Sequence, residues 1–377
     1  MKIRFATLAY ALIALLVTTQ SLLAAEVRIT TWNLNWFPNG TPKEASAGEQ
    51  QRRIQSAANV LRRLNPDIIL LQEIHNYEVT QKLADAIKPG TYQIAICSAF
   101  KDRGQIGKQQ VVILAKQPAQ AAWAESWKSM DGVDPPRGFA FAWFKIKGED
   151  VGIYCVHLKS NLVTVGDKAA EGSKNVRKRE VASQQLLDHI RNVVGQKMPS
   201  INSFVIGGDF NTNADQFGTE TTMTALEQNG FQNCMAGIAA ALRVTHPRSH
   251  GYPDATFDYF FAKGATSSEP EITRSEASDH LPITCIVTFG GSPNAIASST
   301  SQIAEMEKKT APSTPQPTAT PEQFVTITRP VTVQVPYGTA VLQPGIRLPV
   351  LSRDSQTVDV RYMNAKYTIP MASTDLK

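Results

Sequence analysis

Cysteine is sparse: four residues in 377, Cys97, Cys155, Cys234 and Cys285, and none of them stand as CxxC or CxxxC. That spacing excludes a structural zinc finger or ribbon. Cys155 in "IYCVHL" and Cys285 in "ITCIVT" lie in apolar strand-like runs, where a plain buried thiol is expected. An oxidising compartment would nevertheless permit two disulfides, in any of three pairings. No fixed repeat period runs through the chain, which excludes solenoid and propeller arrays. One-signed charge is lacking too: the net +5 falls to +3 once Lys2 and Arg4 are set aside, so overall basicity names no partner.

Long apolar runs are also missing. The run from Phe5 to Val17 is shorter than the roughly 20 residues a spanning helix needs. It follows the basic start Met1-Lys2-Ile3-Arg4 and precedes the small residues Ala24-Ala25, the order of a secretory signal peptide over 1–25. The expected location is therefore secreted or periplasmic, with no transmembrane segment after cleavage, the alternative being an uncleaved anchor.

From Glu26 to about Gly290, apolar strand-like runs alternate with helical ones. "EQQRRIQSAANVLRRL" places Ile54, Ala57, Ala58, Leu61 and Leu64 at helical spacing, and Asn65-Pro66 stops it. "DIILLQEI" is continuous enough for a strand covered on both faces, and further strands are expected at "YQIAIC", "QVVILA", "FAFAWFKI", "VGIYCVHLKS", "SFVIGGDF", "TFDYFFA" and "ITCIVTF". "NVRKREVASQQLLDHIRNVV" predicts a second amphipathic helix. Two packed sheets covered by helices fit this mixture. Residues 291–322 turn rich in proline, threonine and serine, the composition of an extended linker. Residues 323–377 then alternate β-branched residues with turn signals, predicting a small all-β unit that resembles bacterial SH3-like barrels in size and strand rhythm.

Polar residues punctuate the strand ends. Asn33 closes "TTWN", Glu73 closes "DIILLQE", His157 closes "GIYCVH", Asp209 and Asn211 close "FVIGGDFN", Asp258 opens "FDYFF", and Asp279-His280 precedes "LPITCIV". Singly, each has a plainer explanation as a cap, a turn or a surface residue. Collected on one rim, acids repel unless a cation neutralises them, which makes this set suited to divalent-metal phosphoryl transfer. In an extended strand Asp209 and Asn211, two positions apart, would face the same way. Gly207 and Gly208 would let the backbone pass close to its neighbours.

The ordered series "TWNLNW", "LLQE", "VHLKS", "GGDFNTN", "FDYFF" and "SDHLP" resembles the endonuclease/exonuclease/phosphatase superfamily, which includes deoxyribonuclease I, over about Val27 to Phe289. The resemblance implies a four-layer α/β sandwich of two mixed sheets with a magnesium-type site, manganese or calcium being alternatives. It implies metal-site roles for Asn33, Glu73 and Asp279, with Glu73 the principal carboxylate. It assigns Asp209 and Asn211 to the scissile phosphate, His280 to a phosphate contact oriented by Asp258, and His157 to leaving-group protonation. Which histidine is base and which acid stays open. One departure stands out. In deoxyribonuclease I a glutamate partners the His157 equivalent, whereas "GKQQVVILA" offers Gln109 and Gln110, amides that orient imidazole without raising its pKa.

Nucleases, inositol-phosphate phosphatases and sphingomyelinases share this core. DNA, with RNA as a further candidate, is favoured by the motif wording, by the basic "KNVRKRE" with Lys159 upstream, and by the lack of a long apolar hairpin. Arg137 in "DPPRGF" is a candidate phosphate ligand, and Trp36, Phe37 and Tyr252 are candidate base contacts. Alternatives are a sphingomyelinase- or inositol-phosphatase-type esterase and a non-catalytic exported binding protein. The C-terminal unit, with eight basic against six acidic residues over 291–377, is expected to meet cell envelope or protein rather than nucleic acid.

Overall fold

The computed structural model describes residues 25–213, 220–248, 252–268, 270–290, 323–335, 338–342, 347–362 and 365–376. The expected signal segment before Ala25 and the linker 291–322 lie outside the described residues. Among the described residues no helix is long and apolar enough to cross a membrane.

Alternate residues of each strand point to opposite faces, and here both faces are apolar, so each sheet must be covered twice. The first sheet has seven strands: β1 (Ala25–Phe37), β2 (Ile68–Ile74), β3 (Gln93–Cys97), β6 (Gln110–Ala115), β13 (Ala265–Ser267), β14 (Glu271–Ile272) and β15 (Ile283–Phe289). Their order is β13-β15-β1-β2-β6-β3, with β14 also on β15. The minor hairpin β4 (Lys101–Asp102) and β5 (Gln105–Ile106) stands apart. The second sheet runs β11-β12-β10-β9-β8-β7, made of β7 (Ala121–Ser126), β8 (Gly138–Ile146), β9 (Glu149–His157), β10 (Ser203–Asp209), β11 (Gln232–Asn233) and β12 (Asp258–Lys263). Both are mixed, because β1 is parallel to β2 and β10 is parallel to β9 while their other neighbours are antiparallel.

In β2, Ile68 and Leu70 enter the core between the sheets, with Val205. Ile69 and Leu71 face the other way, onto Ile54, Ala57, Leu61 and Leu83 of α1 (Ala47–Leu64) and α2 (Tyr77–Ile87). On the far side α3 (Lys168–Asp188) lays Leu186 and Leu187 on the second sheet. The result is a helix, sheet, sheet, helix stack. α1 is capped as its sequence suggests: Ser46 accepts the Glu49 N–H, and Asn65 ends it in the left-handed region at φ 47°. α3 begins at Lys168, ahead of the start its apolar pattern suggests, because Asp167 caps it, and it runs on into a π-helical segment, His189–Val194. Several elements go beyond the sequence pattern, the largest being α2 and the edge strand β7. A short helix α4 (Thr222–Gln228) completes the set.

The C-terminal region is all antiparallel β: β16 (Phe324–Thr326), β19 (Arg347–Arg353), β20 (Thr357–Tyr362) and β21 (Ala365–Pro370) form one sheet, and β17 (Val331–Val335) pairs with β18 (Gly338–Leu342). β18 contacts the edge strand β7.

Candidate active site

Strand register assembles the rim. His157 ends β9, Asp209 ends β10 and Asp258 opens β12, and the pairings His157↔Asp209 and Asp209↔Asp258 set the three in one row across neighbouring strands. All three are almost fully buried. Two glycines make this row possible. A Cβ on Gly207 would stand 2.6 Å from Leu70 of the facing sheet, and one on Gly208, at φ 150°, would stand 2.0 Å from the Val156 carbonyl oxygen. Asn211 reaches the rim by a different route from simple strand alternation. β10 ends at Asp209, and Asn211 turns into the left-handed region at φ 53°, its N–H donating to Asp209 Oδ1 (2.9 Å) and its Nδ2 to the Leu158 carbonyl (3.2 Å).

The first sheet brings Asn33 and Glu73 to the same edge, with register slips where β1 and β2 meet beyond Asn33 and where β2 and β6 meet beyond Leu71. Glu73 adopts φ 61°, a costly conformation for a non-glycine residue, and its Oε2 accepts the Trp36 N–H (2.8 Å). Asn33 Nδ2 donates to both Glu73 Oε1 (3.3 Å) and Asp209 Oδ2 (2.9 Å), while its Oδ1 accepts from Asn35 N–H (3.0 Å). The amide therefore offers the two acids its NH2 group. The same two carboxylate oxygens lie 3.7 and 3.6 Å from His157 Nε2. Two acids facing one another from two sheets, with one of them buried, suit a hard divalent cation with oxygen ligands. Burial holds Asp209 up at about 7, against the pull of His280. Among the described residues, Asp209, Asp258 and His280 have ligand atoms all within 4.8 Å of one another. There the Asp258 Oδ2 and His280 Nδ1 atoms are already bonded to each other, which leaves the Asp209 carboxylate as that group's oxygen ligand for a cation.

His280 Nδ1 meets Asp258 Oδ2 at 2.7 Å, and its Nε2 looks towards Asp209 Oδ2 at 3.9 Å. Burial pushes His280 down, but the Asp258 charge and hydrogen bond, with Asp209 and Asp279, outweigh it and raise the imidazole to about 10. It is an imidazolium at neutral pH. Its backbone is fixed by the buried Trp32 indole, which donates to the His280 carbonyl (2.8 Å). Asp279 lies at the edge of the site, its side chain 40% exposed, and it connects to Asn33 through Ser278, whose hydroxyl donates to the Asn33 carbonyl (2.8 Å).

His157 is neutral: burial, then Arg137, His280 and Lys159, hold its pKa well below the usual histidine range. Its Nδ1 is buried with no hydrogen-bond partner among the described residues. Neither glutamine supplies one, since Gln110 is turned onto Ser98, Phe100 and Gly107, and Gln109 accepts from Arg137. Arg137, the candidate phosphate ligand, is half-buried and turned onto the backbone. Its guanidinium donates to the carbonyls of His157 (3.1 Å) and Leu158 (2.6 Å), bracing the loop that carries His157 while adding positive charge near Glu73 and Asp209. Lys159 is half-buried and donates to the Ser160 carbonyl. The basic helix is largely self-neutralised: Lys174 pairs with Glu171 and Arg177 with Glu180, and Arg179 is fully buried against Glu220 (2.6 Å).

The sequence pattern does not single out His246. Its ring meets His280 edge-on with centroids 4.9 Å apart, its Nε2 is 3.9 Å from Asp279, and its Nδ1 is buried without a partner among the described residues. The neighbouring Thr245 Oγ1 accepts the N–H groups of Phe257 and Asp258, and the Thr245 carbonyl accepts from Leu281. "RVTHPRS" reads as a loop, and only the fold reveals that it ties Asp258 to His280. Of the aromatic candidates, Phe37 is core, Trp36 is half-buried beside Glu73, and Tyr252 is 57% exposed.

The sequence pattern of the Endonuclease/Exonuclease/phosphatase family matches residues 30–280. No curated protein matches the chain. Among solved structures, truncated TDP2 of Caenorhabditis elegans is similar at 18% identity and a TM-score of 0.50, covering 70% of this chain and 98% of that one. A family protein from Leptotrichia buccalis C-1013-b, at 18% identity and 0.49, covers 70% and 100% respectively. The mannosyl-6-phosphatase Bt3783 of Bacteroides thetaiotaomicron VPI-5482 shares 15% identity at 0.48, over 70% and 100%.

Proposed function

Because the chain belongs to the Endonuclease/Exonuclease/phosphatase family, whose members are hydrolases acting on phosphoester bonds, we propose that it is an extracytoplasmic, magnesium-dependent phosphodiesterase that cleaves DNA, with RNA as a further substrate, leaving 5′-phosphate ends. The observation that carries this reading is the buried Asp258–His280 pair aimed at Asp209, which puts a cationic imidazole and a proton-accepting carboxylate side by side on one rim of the sheets. The imidazolium of His280 donates from Nε2 to a phosphate oxygen, and Asp258 holds its tautomer and charge. Asp209 takes the proton of the attacking water. Bound beside Glu73, the cation would supply Lewis-acid polarisation of the phosphate. Its positive charge would lower Asp209 from about 7 and leave it ionised for that task. His157, neutral and with Nε2 3.7 and 3.6 Å from Glu73 and Asp209, has no imidazolium proton to deliver, so the departing 3′-oxygen takes its proton from solvent water.

One observation favours a second reading. The loop after His157 exposes Leu162 (54%) and Val165 (83%), and the β4–β5 hairpin exposes Ile106 (63%). Apolar tips of this kind suit an amphiphilic phosphodiester such as sphingomyelin. A panel of supercoiled DNA, RNA and sphingomyelin vesicles, each with magnesium, manganese or calcium, separates the two. Nicking of DNA that a chelator abolishes is expected. Intact nucleic acid together with hydrolysed sphingomyelin would install the second reading.

A further inference from the structure

Cys234 and Cys285 lie on different sheets. The Cys234 N–H donates to the Phe260 carbonyl of β12 (2.9 Å) in the second sheet, and Cys285 lies in β15 of the first, opposite Ile29. Their thiols are nevertheless neighbours, each acting on the other. Both also meet one short stretch, with Cys285 Sγ donating to the Ser268 carbonyl (3.3 Å) and each thiol bonding Ser267. The remaining cysteines are elsewhere. Cys97 sits beneath α2, where the Thr80 hydroxyl donates to it (3.7 Å), and Cys155 lies between the sheets, where it accepts from Gln72 (3.2 Å). The fold therefore brings together one pair of cysteines, not the two pairs that the sequence alone allows.

We propose that Cys234 and Cys285 are an oxidation site, and that a disulfide between them staples the two sheets together beneath the Asp258–His280 pair. The location gives the bridge its effect: Cys234 follows β11 and is hydrogen-bonded to β12, the strand that opens with Asp258, while Cys285 lies in β15, which begins three residues after His280, so the cross-link ties β15 to the immediate neighbour of the strand that carries Asp258. The chemistry is thiol–disulfide exchange with a small-molecule disulfide such as oxidised glutathione. Cys234 is half-exposed, and the neighbouring Cys285 thiol favours its thiolate, whereas Cys285 is buried and held protonated. The Cys234 thiolate attacks the glutathione disulfide, expelling one glutathione thiolate and leaving a mixed disulfide. That thiolate takes the Cys285 proton. Cys285 sulfur then attacks Cys234 Sγ and expels the second glutathione. Two protein thiols are oxidised, and one disulfide is reduced to two thiols.

The test uses the full chain, fully reduced and then equilibrated with oxidised glutathione. Peptide mapping without reductant is expected to recover one linked pair, Cys234 to Cys285, with Cys97 and Cys155 still alkylated as thiols after denaturation. Closing a loop of this length should raise Tm by roughly 5–15 °C. Dithiothreitol should reverse the rise, and Cys234→Ser should lack it, while Cys97→Ser keeps it. If Cys285→Ser does not fold, the half-exposed Cys234→Ser still decides the matter. Four alkylatable thiols after oxidation, or a bridge to Cys97 or Cys155, would overturn the assignment. None of these readouts depends on enzymatic turnover, so they stand apart from the proposed function.

Discussion

His280 takes its charge from Asp258, and the pair yields predictions that separate chemistry from folding. His280→Ala should remove nearly all phosphodiesterase turnover. Asp258→Asn should fold and still lose about 10²-fold or more in kcat, because the ring loses the carboxylate that orients and charges it. Equal rates for Asp258→Asn and the parent would refute the pairing. A pH test follows from the raised histidine. Since the folded His280 titrates near 10, above its ordinary value, the stability it contributes is fully present below about pH 6.5 and is lost as pH rises through 10. In chelator-treated protein, the Tm gap between parent and Asp258→Asn should therefore be widest near neutral pH and close towards pH 10. A gap that stayed constant would mean His280 is not an imidazolium. His246, edge-on to His280, should when changed to Ala lower kcat while leaving Tm within a few degrees. Asp279 is half in solvent, and Asp279→Asn is expected to raise the metal concentration needed for activity more than it lowers kcat at saturating metal.

At the scale of elements, the strands are legible in the sequence, and β2 and β10 show why. Runs such as Ile68–Leu71 and Phe204–Ile206 are apolar on both faces, and only a strand covered twice can bury them. The pattern alone therefore assigns the polar residues ending those runs to the rim. α2 is harder to see. Its cap Asn76 and its buried Val79, Leu83 and Ile87 form one short stripe, too brief to stand out from loop. Long-range partners are not legible at all. Nothing near Arg179 in the sequence points to Glu220, yet their buried pair, with Arg179 also donating to the Lys159 carbonyl (3.0 Å), anchors the loop after His157. The same holds for Arg137, whose partners are backbone carbonyls on another strand end. Glu220→Ala should cost about 3–5 kcal/mol, because it strands a buried guanidinium. Urea denaturation measures it, and a loss below about 1 kcal/mol would show that the pair is dispensable.

For the whole molecule, the sandwich brings β1 and β2 of one sheet and β9, β10 and β12 of the other to a common edge, so the site belongs to neither sheet alone. The C-terminal β region contacts the edge strand β7, on the opposite side of that sheet's order from β12, and none of its residues enters the site contacts described. A chain ending at Ser292 is accordingly expected to keep its kcat on a short oligonucleotide while melting at lower temperature, and a large loss of turnover in a still-folded truncation would put the tail in the active machinery. The central claim is that the Glu73 and Asp209 carboxylates, with the Asp258–His280 pair, form a cation-dependent phosphodiesterase centre. Its most direct test is the nicking of supercoiled DNA by purified protein with magnesium against chelator, run beside Glu73→Gln. The account predicts nicking with magnesium, none with chelator, and at least about a 10²-fold loss in Glu73→Gln. Nicking that survives both the chelator and Glu73→Gln would contradict it.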